Sequence, residues 1–150
     1  MTGPLEGKVA VVTGSTQGLG AAIAERFVGA GARVVLSGRS REHGEQVRKK
    51  LGASAVYQRT DLSRPEECRA LIDAALGAFG GIDILVNSAA DSSRSTVDDV
   101  TPEFFDRQVA VNLRAPLLLA HHAAASLRSR RGVLLNIGSV NAYMGEPALL

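Results

Sequence analysis

The sequence predicts a doubly wound α/β fold with a parallel sheet, because short β-type runs alternate with helical segments along the chain. Five runs are apolar without clean alternation, which is typical of strands that are covered on both faces. They occupy residues 9–13, 33–37, 55–57 leading into 60–61, 82–86 and 133–137. A chain of 150 residues without an internal repeat or linker is expected to form one domain with right-handed crossovers.

The segments between these runs have helical patterns. Residues 19–29 and 41–51 each end at or next to a glycine, a common C-terminal signal. Ser63-Arg64-Pro65-Glu66 predicts a capping box with proline in the first turn. An apolar stripe at helical spacing follows it. The stripe consists of Cys68, Leu71, Ile72, Ala75, Leu76 and Phe79. A further long helix is predicted to begin at Thr101-Pro102-Glu103 and to continue toward Ser126.

Composition and charge exclude several classes of protein. Hydrophobic residues make up 45% of the chain and charged residues 21%, which is typical of a globular domain and not of a disordered one. The net charge of +2, with scattered arginines, does not indicate a nucleic-acid partner. One cysteine forms neither an internal disulfide nor a zinc-thiolate cluster, and no apolar run approaches the roughly 20 residues that span a bilayer. We therefore expect a cytoplasmic protein without a metal site, a nucleic-acid partner or a membrane segment.

The first predicted strand leads directly into a glycine-rich turn and then into a helix. The turn reads Thr13-Gly14-Ser15-Thr16-Gln17-Gly18-Leu19-Gly20, a Gly-x3-Gly-x-Gly spacing. Glycines allow a tight turn and a close approach of the backbone to a pyrophosphate, while free N–H groups and the helix dipole attract the anion. A left-handed turn at a strand end also uses glycine. The strand–turn–helix context favours the phosphate site.

Together with four later segments, this turn resembles the short-chain dehydrogenase/reductase family. The matching segments are Asp61-Leu62, Asn87-Ser88-Ala89-Ala90, Asn112 and Ser139, and they follow the family's order through nearly the whole chain. The resemblance implies a Rossmann-like sheet with strand order 3-2-1-4-5. It also implies a nicotinamide cofactor, hydride transfer between that cofactor and a carbonyl or alcohol substrate, and a homo-oligomeric complete enzyme.

The end of the second predicted strand indicates which nicotinamide cofactor is bound. An NAD site places an aspartate or glutamate roughly 20 residues past the glycines, where it accepts a hydrogen bond from the ribose 2′-hydroxyl. Here Leu36-Ser37-Gly38 contains no carboxylate, and Arg39 follows. A guanidinium holds a 2′-phosphate with two parallel hydrogen bonds, although Arg39 could also be a solvated loop residue. We predict a preference for NADP(H) over NAD(H).

Two further matches extend the predicted cofactor site. The resemblance implies that Asp61 and Leu62 hold the adenine ring through a carboxylate and a backbone group. Asp61 could instead belong to the turn ahead of the next helix. The resemblance also places Asn87 near the adenosine ribose and includes Ala89 among the cofactor-binding residues. The family's turn at this point is Asn-Asn-Ala-Gly, and Ala90 stands here in place of the glycine, where a positive φ would be costly.

Asn112 and Ser139 are the predicted catalytic residues. Asn112 shares helical spacing with Phe105, Val109 and Pro116, which predicts that its amide lies on a buried face and needs hydrogen-bond partners. The resemblance implies that Asn112 holds a water of a proton relay, which is compatible with a structural role in bending the helix. Ser139 follows the fifth predicted strand, at the sheet edge where ligands bind. By resemblance it hydrogen-bonds the substrate carbonyl or hydroxyl, although a serine there also forms turns.

The acid/base pair that the family's chemistry needs, a tyrosine with a lysine four residues later, does not occur after Ser139. Tyrosine acts near neutral pH only when a neighbouring cation lowers its pKa from about 10. The single tyrosine after Ser139 is Tyr143, four residues before Pro147, and no lysine follows Lys50, so we interpret Tyr143 as a loop residue. We therefore expect residues 1–150 to be the N-terminal part of an enzyme, with five strands and an incomplete C-terminal end, that is inactive alone. The alternative is a non-catalytic NADP(H)-binding module.

Three other reactive side chains are predicted to have structural roles. His121 and His122 are adjacent, so they point to different faces of a helix and lack the spacing of metal ligands. Cys68 belongs to an apolar stripe, which indicates core packing and not a nucleophile.

The implied strand order makes the fifth strand an edge of the sheet. Residues 133–137 are apolar and contain no lysine or proline that would block pairing with another chain. Leu117, Leu118 and Leu119 add apolar surface on the neighbouring helix, a face that the family commonly uses to dimerise. We predict that this chain associates without a fixed stoichiometry or is poorly soluble.

Overall fold

One sheet of five parallel strands runs through the computed structural model, which describes residues 3–143 of the chain. Residues 1, 2 and 144–150 of the predicted domain, including Pro147, lie outside the described residues. The strands are β1 (Val9–Val12), β2 (Arg33–Gly38), β3 (Ala55–Arg59), β4 (Ile84–Asn87) and β5 (Val133–Asn136). They are ordered β3-β2-β1-β4-β5, and every neighbouring pair is parallel. The predicted parallel sheet and the strand order that the resemblance implied are confirmed.

Helices connect successive strands, as the alternating pattern predicted. The helices are α1 (Gly18–Gly29), α2 (Arg41–Leu51), α3 (Pro65–Phe79), α4 (Pro102–Val109) and α5 (Ala115–Arg130). α2 has the predicted bounds, and Ser40 caps its first turn by accepting a 3.3 Å hydrogen bond from the N–H of His43. Thr101 caps α4 in the same way through the N–H of Phe104. These ends form where the sequence predicts them because a short polar side chain satisfies an otherwise unpaired N–H.

The two faces of the sheet carry separate apolar cores. Ala10 and Val12 of β1 face a cluster that includes side chains of α1 and α2. Val11 faces the opposite cluster, which includes side chains of α3 and α5. Because both faces of the central strand are covered, all four of its residues are buried, which explains why the sequence is continuously apolar there.

The capping box predicted at Ser63 is wrong. The N-cap of α3 is Arg64, whose side chain makes no capping hydrogen bond, and Pro65 is the first helical residue. Ser63 instead donates its N–H and its hydroxyl to Oδ1 of Asp61, over 3.0 and 2.7 Å. Glu67 accepts a 2.6 Å hydrogen bond from the N–H of Asp61 and so connects the helix to this turn. The local Asp61 turn competes successfully for the serine hydroxyl that would otherwise cap the helix.

The apolar stripe of α3 forms as predicted at most positions. Cys68, Leu71, Ile72 and Ala75 are buried, whereas Leu76 is partly exposed at the margin. The sulfur of Cys68 lies 3.7 Å from the carbonyl oxygen of Leu62, and burial raises the pKa of this thiol. A buried thiol with a raised pKa is a packing residue, as predicted.

A π-helical turn at Ala110–Arg114 joins α4 to α5, and it overturns the predicted burial of Asn112. The N–H of Ala115 bonds to the carbonyl of Ala110, five residues back. This wider turn shifts the inward face of the helix relative to a regular 3.6-residue repeat. The buried side chains are therefore Ala110, Ala115, Leu119 and Ala123. Phe105 is 61% exposed and Asn112 is exposed, so the predicted stripe through these two residues is wrong.

β5 is an edge of the described sheet, as predicted. All four of its residues are exposed, and Val133 retains 59% of its accessible surface. Leu117 of α5 is also exposed, while Leu119 points into the core. Among residues 3–143, no helix is long and apolar enough to cross a membrane.

Candidate nucleotide-binding site

A cavity of about 570 Å³ opens at the carboxyl ends of the central strands. β2 and β3 lie on one side of β1 in the sheet, whereas β4 and β5 lie on the other side. Such a switch point in the strand order creates a crevice beyond the strand ends. Ten predicted cofactor-binding residues line this one cavity. They are Gly14, Thr16, Gln17, Gly18, Leu19, Gly20, Arg39, Asp61, Leu62 and Ala89. The structure therefore brings together residues that are up to 75 positions apart in the sequence.

The glycine-rich turn packs too closely for larger residues. Gly14 has a φ of +66°, and a Cβ there would lie 2.8 Å from the Cα of Ala89. A Cβ on Gly20 would collide with the carbonyl oxygen of Gly14. Gly18 has a φ of +56° but open space around it, so its glycine is required by conformation alone. Gly14 thus lets the turn lie directly against the loop after β4.

Thr13 fixes that loop, a role that the sequence interpretation missed. Its side chain is buried, and its Oγ1 accepts hydrogen bonds from the N–H groups of Ser88 and Ala89 over 3.0 and 3.1 Å. The N–H of Thr13 itself donates to the carbonyl of Val86. Thr13 thus connects the end of β1 to the end of β4. The signal in the sequence that could have revealed this role was a polar threonine at the end of an apolar strand.

Ser15 differs from its predicted role in cofactor binding. Its side chain is completely buried, donates to the carbonyl of Val12 over 2.7 Å and accepts from the N–H of Ser37 over 2.9 Å. The N–H of Ser15 donates to the carbonyl of Ser37. With its donors used in this way, Ser15 braces β1 against β2 behind the cavity instead of lining it.

The N-terminus of α1 forms one wall of the cavity. Its N-cap, Gln17, makes no side-chain capping hydrogen bond, and the first turn contains no acidic residue. The N–H groups of a first helical turn have no intrahelical partner, and the helix dipole makes this end positive. Gly18, Leu19 and Gly20, the first residues of this helix, line the cavity. The arrangement is suited to binding an anion.

Arg39 lies on the cavity wall just beyond β2, and it is exposed. Within residues 3–143 it makes no hydrogen bond or salt bridge, so its guanidinium is available to a ligand. Asp61 lies on the same cavity wall. The Ser63 hydroxyl that donates to Asp61 holds the pKa of this carboxyl below its usual value, and the charge of Arg39 contributes in the same direction. Asp61 is therefore both a turn residue and an ionised group of the cavity.

A second cavity of about 760 Å³ adjoins the first along residues 88–92. Asn87, Asn112 and Ser139 all line it, so the structure brings both predicted catalytic residues to one place. Ser139 is exposed, and its Oγ accepts a 3.2 Å hydrogen bond from the N–H of Asn141. It therefore also forms a turn, which was the alternative interpretation.

Asn87 lies in the wall between the strands and faces the second cavity instead of the first. Its side chain is buried, and its Nδ2 donates a 2.8 Å hydrogen bond to Oδ1 of Asn136. Its own Oδ1 has no hydrogen-bond partner within the described residues. A buried amide oxygen without a partner is costly, so this atom is a candidate acceptor for a bound ligand or water.

Asn112 holds the loop after β4 although it is exposed. Its Oδ1 accepts a 2.8 Å hydrogen bond from the N–H of Asp91, and its Nδ2 donates to the Asp91 carbonyl and to Gln108. The Asp91 carboxylate accepts from the hydroxyl and N–H of Ser93 and pairs with Arg107 at 2.6 Å. The hydrogen bonds from Ser93, followed by the contact with Arg107, hold the pKa of Asp91 below its usual value. Asn112 therefore has the hydrogen-bond partners that an amide needs.

The structure also describes the surroundings of several other residues that the sequence analysis singled out. Ala90 does not have a positive φ, since the only non-glycine residue with one among residues 3–143 is Arg131, so alanine is tolerated there. Tyr143 is 92% exposed, as expected for a loop residue. His121 and His122 contact each other edge to face at 5.1 Å between ring centroids. In the described chain, no three His, Cys, Asp or Glu side chains are grouped to hold a metal.

Comparison with known proteins gives a consistent result. The family model described as short chain dehydrogenase matches residues 8–150. An uncharacterised oxidoreductase of Mycobacterium bovis is 39% identical over 148 residues, which cover 97% of this chain and 60% of that protein. The NADP-dependent (R)-specific alcohol dehydrogenase of Lentilactobacillus kefiri is 33% identical, over 99% of this chain and 61% of that protein.

A solved structure has the same architecture. It is the crystal structure of a 3-ketoacyl-(acyl-carrier-protein) reductase from Brucella melitensis complexed with NADH. It superimposes with a TM-score of 0.89 at 35% identity, covering 97% of this chain and 62% of that one. The chain spans about 60% of the length of the curated relatives described above. With the family match, the shared fold and the glycine-lined cavity, the chain belongs to the short-chain dehydrogenase family.

Proposed function

We propose that this chain is the nucleotide-binding part of an NADP(H)-dependent oxidoreductase that acts on a small carbonyl or alcohol substrate. The observation that carries the proposal is the wall of the cavity at the end of β2. Arg39 stands there without a salt bridge to a described residue, and Ser37 and Gly38 supply no carboxylate. A 2′-phosphate finds a cation at this position, whereas a ribose 2′-hydroxyl lacks the usual acceptor.

The shape and charge of the cavity fit a dinucleotide. The turn at Gly14 and Gly20 leaves no room for a Cβ, which favours close approach of the backbone to a pyrophosphate. The first turn of α1 offers N–H groups to the same anion. Asp61 and Leu62 are the proposed contacts of the adenine ring, and Ala89 is a proposed contact of the cofactor in the same cavity. Asn87 lines the second cavity, and we propose that it meets the adenosine ribose where the two cavities adjoin. When bound, the cofactor supplies or accepts the hydride.

The second cavity is the proposed substrate site. We propose that Ser139 hydrogen-bonds a carbonyl or hydroxyl oxygen of the substrate and that Asn112 holds a water of the proton relay. The support for both roles is that the two side chains line this cavity. Neither side chain supplies a proton at neutral pH, since hydroxyl and amide groups do not titrate there. We propose that a Tyr-x-x-x-Lys segment beyond residue 150 supplies the acid/base in the complete enzyme, which we expect to be a homo-oligomer.

The relatives leave the choice of cofactor open. The Lentilactobacillus kefiri protein is NADP-dependent, whereas the Brucella melitensis reductase was crystallised with NADH. For this chain the proposed cofactor preference therefore depends on Arg39, which we propose contacts the 2′-phosphate. A binding experiment on variants of this residue tests it directly.

The test compares Arg39→Ala with Arg41→Ala. Arg41 is a matched control because it is an exposed arginine two residues away that does not line the cavity. We expect Arg39→Ala to weaken NADPH binding by about 10- to 150-fold, the loss of a charge-assisted contact, and to leave NADH binding unchanged. Fluorescence titration of the two reduced cofactors measures both affinities. Equal losses for NADPH and NADH would show that Arg39 does not read the 2′-phosphate.

A non-catalytic NADP(H)-binding module is the second candidate. It is favoured by the position of Tyr143, which is 92% exposed and therefore does not lie within the candidate site as an acid/base residue. The coding sequence after codon 150 separates the two proposals. A downstream Tyr-x-x-x-Lys segment supports the oxidoreductase, and a stop codon supports the binding module.

A further inference from the structure

Tyr57 holds the backbone on both sides of Arg39. It lies on β3, where it is paired in register with Leu36 of β2. Its hydroxyl lies 2.7 Å from the carbonyl oxygen of Gly38 and 3.0 Å from that of Ser40, and donates to this pair of acceptors. Gly38 and Ser40 are the immediate neighbours of Arg39 in the chain. The Tyr57 side chain therefore fixes the two peptide groups that flank Arg39, the residue proposed to bind the 2′-phosphate.

The ring of Tyr57 is held from the opposite side by α2. Gly44 is buried in that helix, and a Cβ there would collide with the Tyr57 ring. Glycine is otherwise unfavourable in the interior of a helix, so its presence in α2 creates the space for the ring. Burial is the main cause that raises the pKa of Tyr57, and the hydroxyl therefore remains protonated and able to donate at neutral pH.

The backbone on both sides of Arg39 is held by contacts, whereas the Arg39 side chain has no hydrogen bond to a described residue. The carbonyl of Gly38 also accepts a 3.0 Å hydrogen bond from the N–H of Thr60, and a Cβ on Gly38 would lie 2.5 Å from Thr16 Cγ2. Ser40 caps α2. Arg39 itself has no hydrogen bond or salt bridge to a described residue. The direction in which its guanidinium starts from the backbone is thus set by contacts of its neighbours.

We propose that Tyr57 is a positioning residue for cofactor selectivity, which fixes the backbone of residues 38–40 so that Arg39 faces the 2′-phosphate. This inference rests on the proposed function, because it explains how Arg39, the residue proposed to bind the 2′-phosphate, is held in position. An arginine on a mobile segment loses conformational freedom when it binds, and bracing removes part of that cost before the ligand arrives. A ligand without the 2′-phosphate does not use Arg39, so it gains nothing from the bracing.

The test removes the hydroxyl alone. Adenosine 2′,5′-bisphosphate and 5′-AMP are the probes, and isothermal titration of the 150-residue chain gives the ratio of their dissociation constants. We expect Tyr57→Phe to lower the preference for the bisphosphate by about three- to tenfold, the net effect of one lost hydrogen bond. Tyr143→Phe is the matched control, because it removes the hydroxyl of the other tyrosine in the chain, which is almost fully exposed. It should leave the preference unchanged.

Combining the variants separates this inference from the proposed function. In the Arg39→Ala background, Tyr57→Phe should have no further effect on the preference, because the residue that it positions is gone. If Arg39→Ala lowers the preference and Tyr57→Phe does not, or if Tyr57→Phe weakens both probes equally, the positioning role is refuted and the proposed function stands. If Arg39→Ala itself leaves the preference unchanged, the proposed function fails and this inference fails with it.

A second variant keeps the test decisive if Tyr57→Phe does not fold. Gly44→Ala retains the hydroxyl but displaces the ring, while alanine favours the helix. It should lower the preference for the bisphosphate in the same direction. An unchanged preference in a folded Gly44→Ala chain, as judged by circular dichroism, would overturn the inference.

Discussion

Replacing Gly14 with alanine tests how closely the glycine-rich turn must approach the loop after β4. The substitution has two costs in this structure. A φ of +66° places a non-glycine residue in the left-handed region, which costs about 1–2 kcal/mol. The new Cβ would also lie 2.8 Å from the Cα of Ala89, and overpacking against backbone adds about 1–3 kcal/mol. We expect Gly14→Ala to lower the free energy of unfolding by about 2–4 kcal/mol, after a small gain from the stiffer unfolded chain.

Two other glycines provide matched controls. Gly18 has a φ of +56°, but a Cβ there would meet no atom beyond its chain neighbours and its own helix backbone, so Gly18→Ala has the conformational cost without the collision. Gly77 lies inside α3 with ordinary helical φ and open space, so Gly77→Ala should stabilise the chain by about 0.5–1 kcal/mol. The expected order of stability is Gly77→Ala, wild type, Gly18→Ala and then Gly14→Ala. The free energies come from urea unfolding followed by circular dichroism.

The same variants report on the ligand site. Because Gly14→Ala pushes the turn away from Ala89, it should also weaken NADPH binding in the fraction that remains folded. Equal stability of Gly14→Ala and Gly18→Ala would show that the loop moves aside without cost. That result would refute the argument that close packing of the turn sets the geometry of the cavity.

The purified 150-residue chain should not reduce carbonyl substrates with NADPH at the rate of an ordinary enzyme, about 1–10³ s⁻¹, because neither Ser139 nor Asn112 donates a proton at neutral pH. Turnover in that range would contradict this prediction. Asp91→Asn should reduce the amount by which acid lowers the free energy of unfolding. The Ser93 hydrogen bonds lower the folded pKa of Asp91, so its contribution is present above the unfolded value of about 3.9 and is lost as the pH falls below it. Urea unfolding between about pH 6 and pH 3 should show a steeper loss for wild type than for the variant, and parallel curves would exclude this role. The exposed apolar edge at β5, with Leu117 beside it, should make the chain associate. A stable monomer in light scattering at tens of micromolar would argue against it.

The positions of the strands along the chain could be predicted from the sequence because burial on both faces demands continuous apolar runs, whereas the order of the strands in the sheet was implied only by the family resemblance. Val9–Val12 is the clearest case, since each of its four residues is buried and each had to be apolar. The turn at Gly14 was predictable for a similar reason, because few residues other than glycine allow both a positive φ and a close contact. Burial on both faces and a positive φ each limit the type of residue at a single position, so they can be recognised from the local sequence.

The details of the candidate site depend instead on contacts between distant segments, which leave no local pattern. Asn112 was predicted to be buried, but the π-helical turn rotates it outward, where it binds the backbone of Asp91, 21 residues earlier. Ser63 was predicted to cap α3, but its hydroxyl binds Asp61 instead. The hydroxyl of Tyr57 on β3 reaches the carbonyl of Gly38 on the neighbouring strand β2, 19 residues earlier. A polar side chain satisfies its hydrogen bonds with whichever partner folding brings near, and only the tertiary structure determines which partner that is.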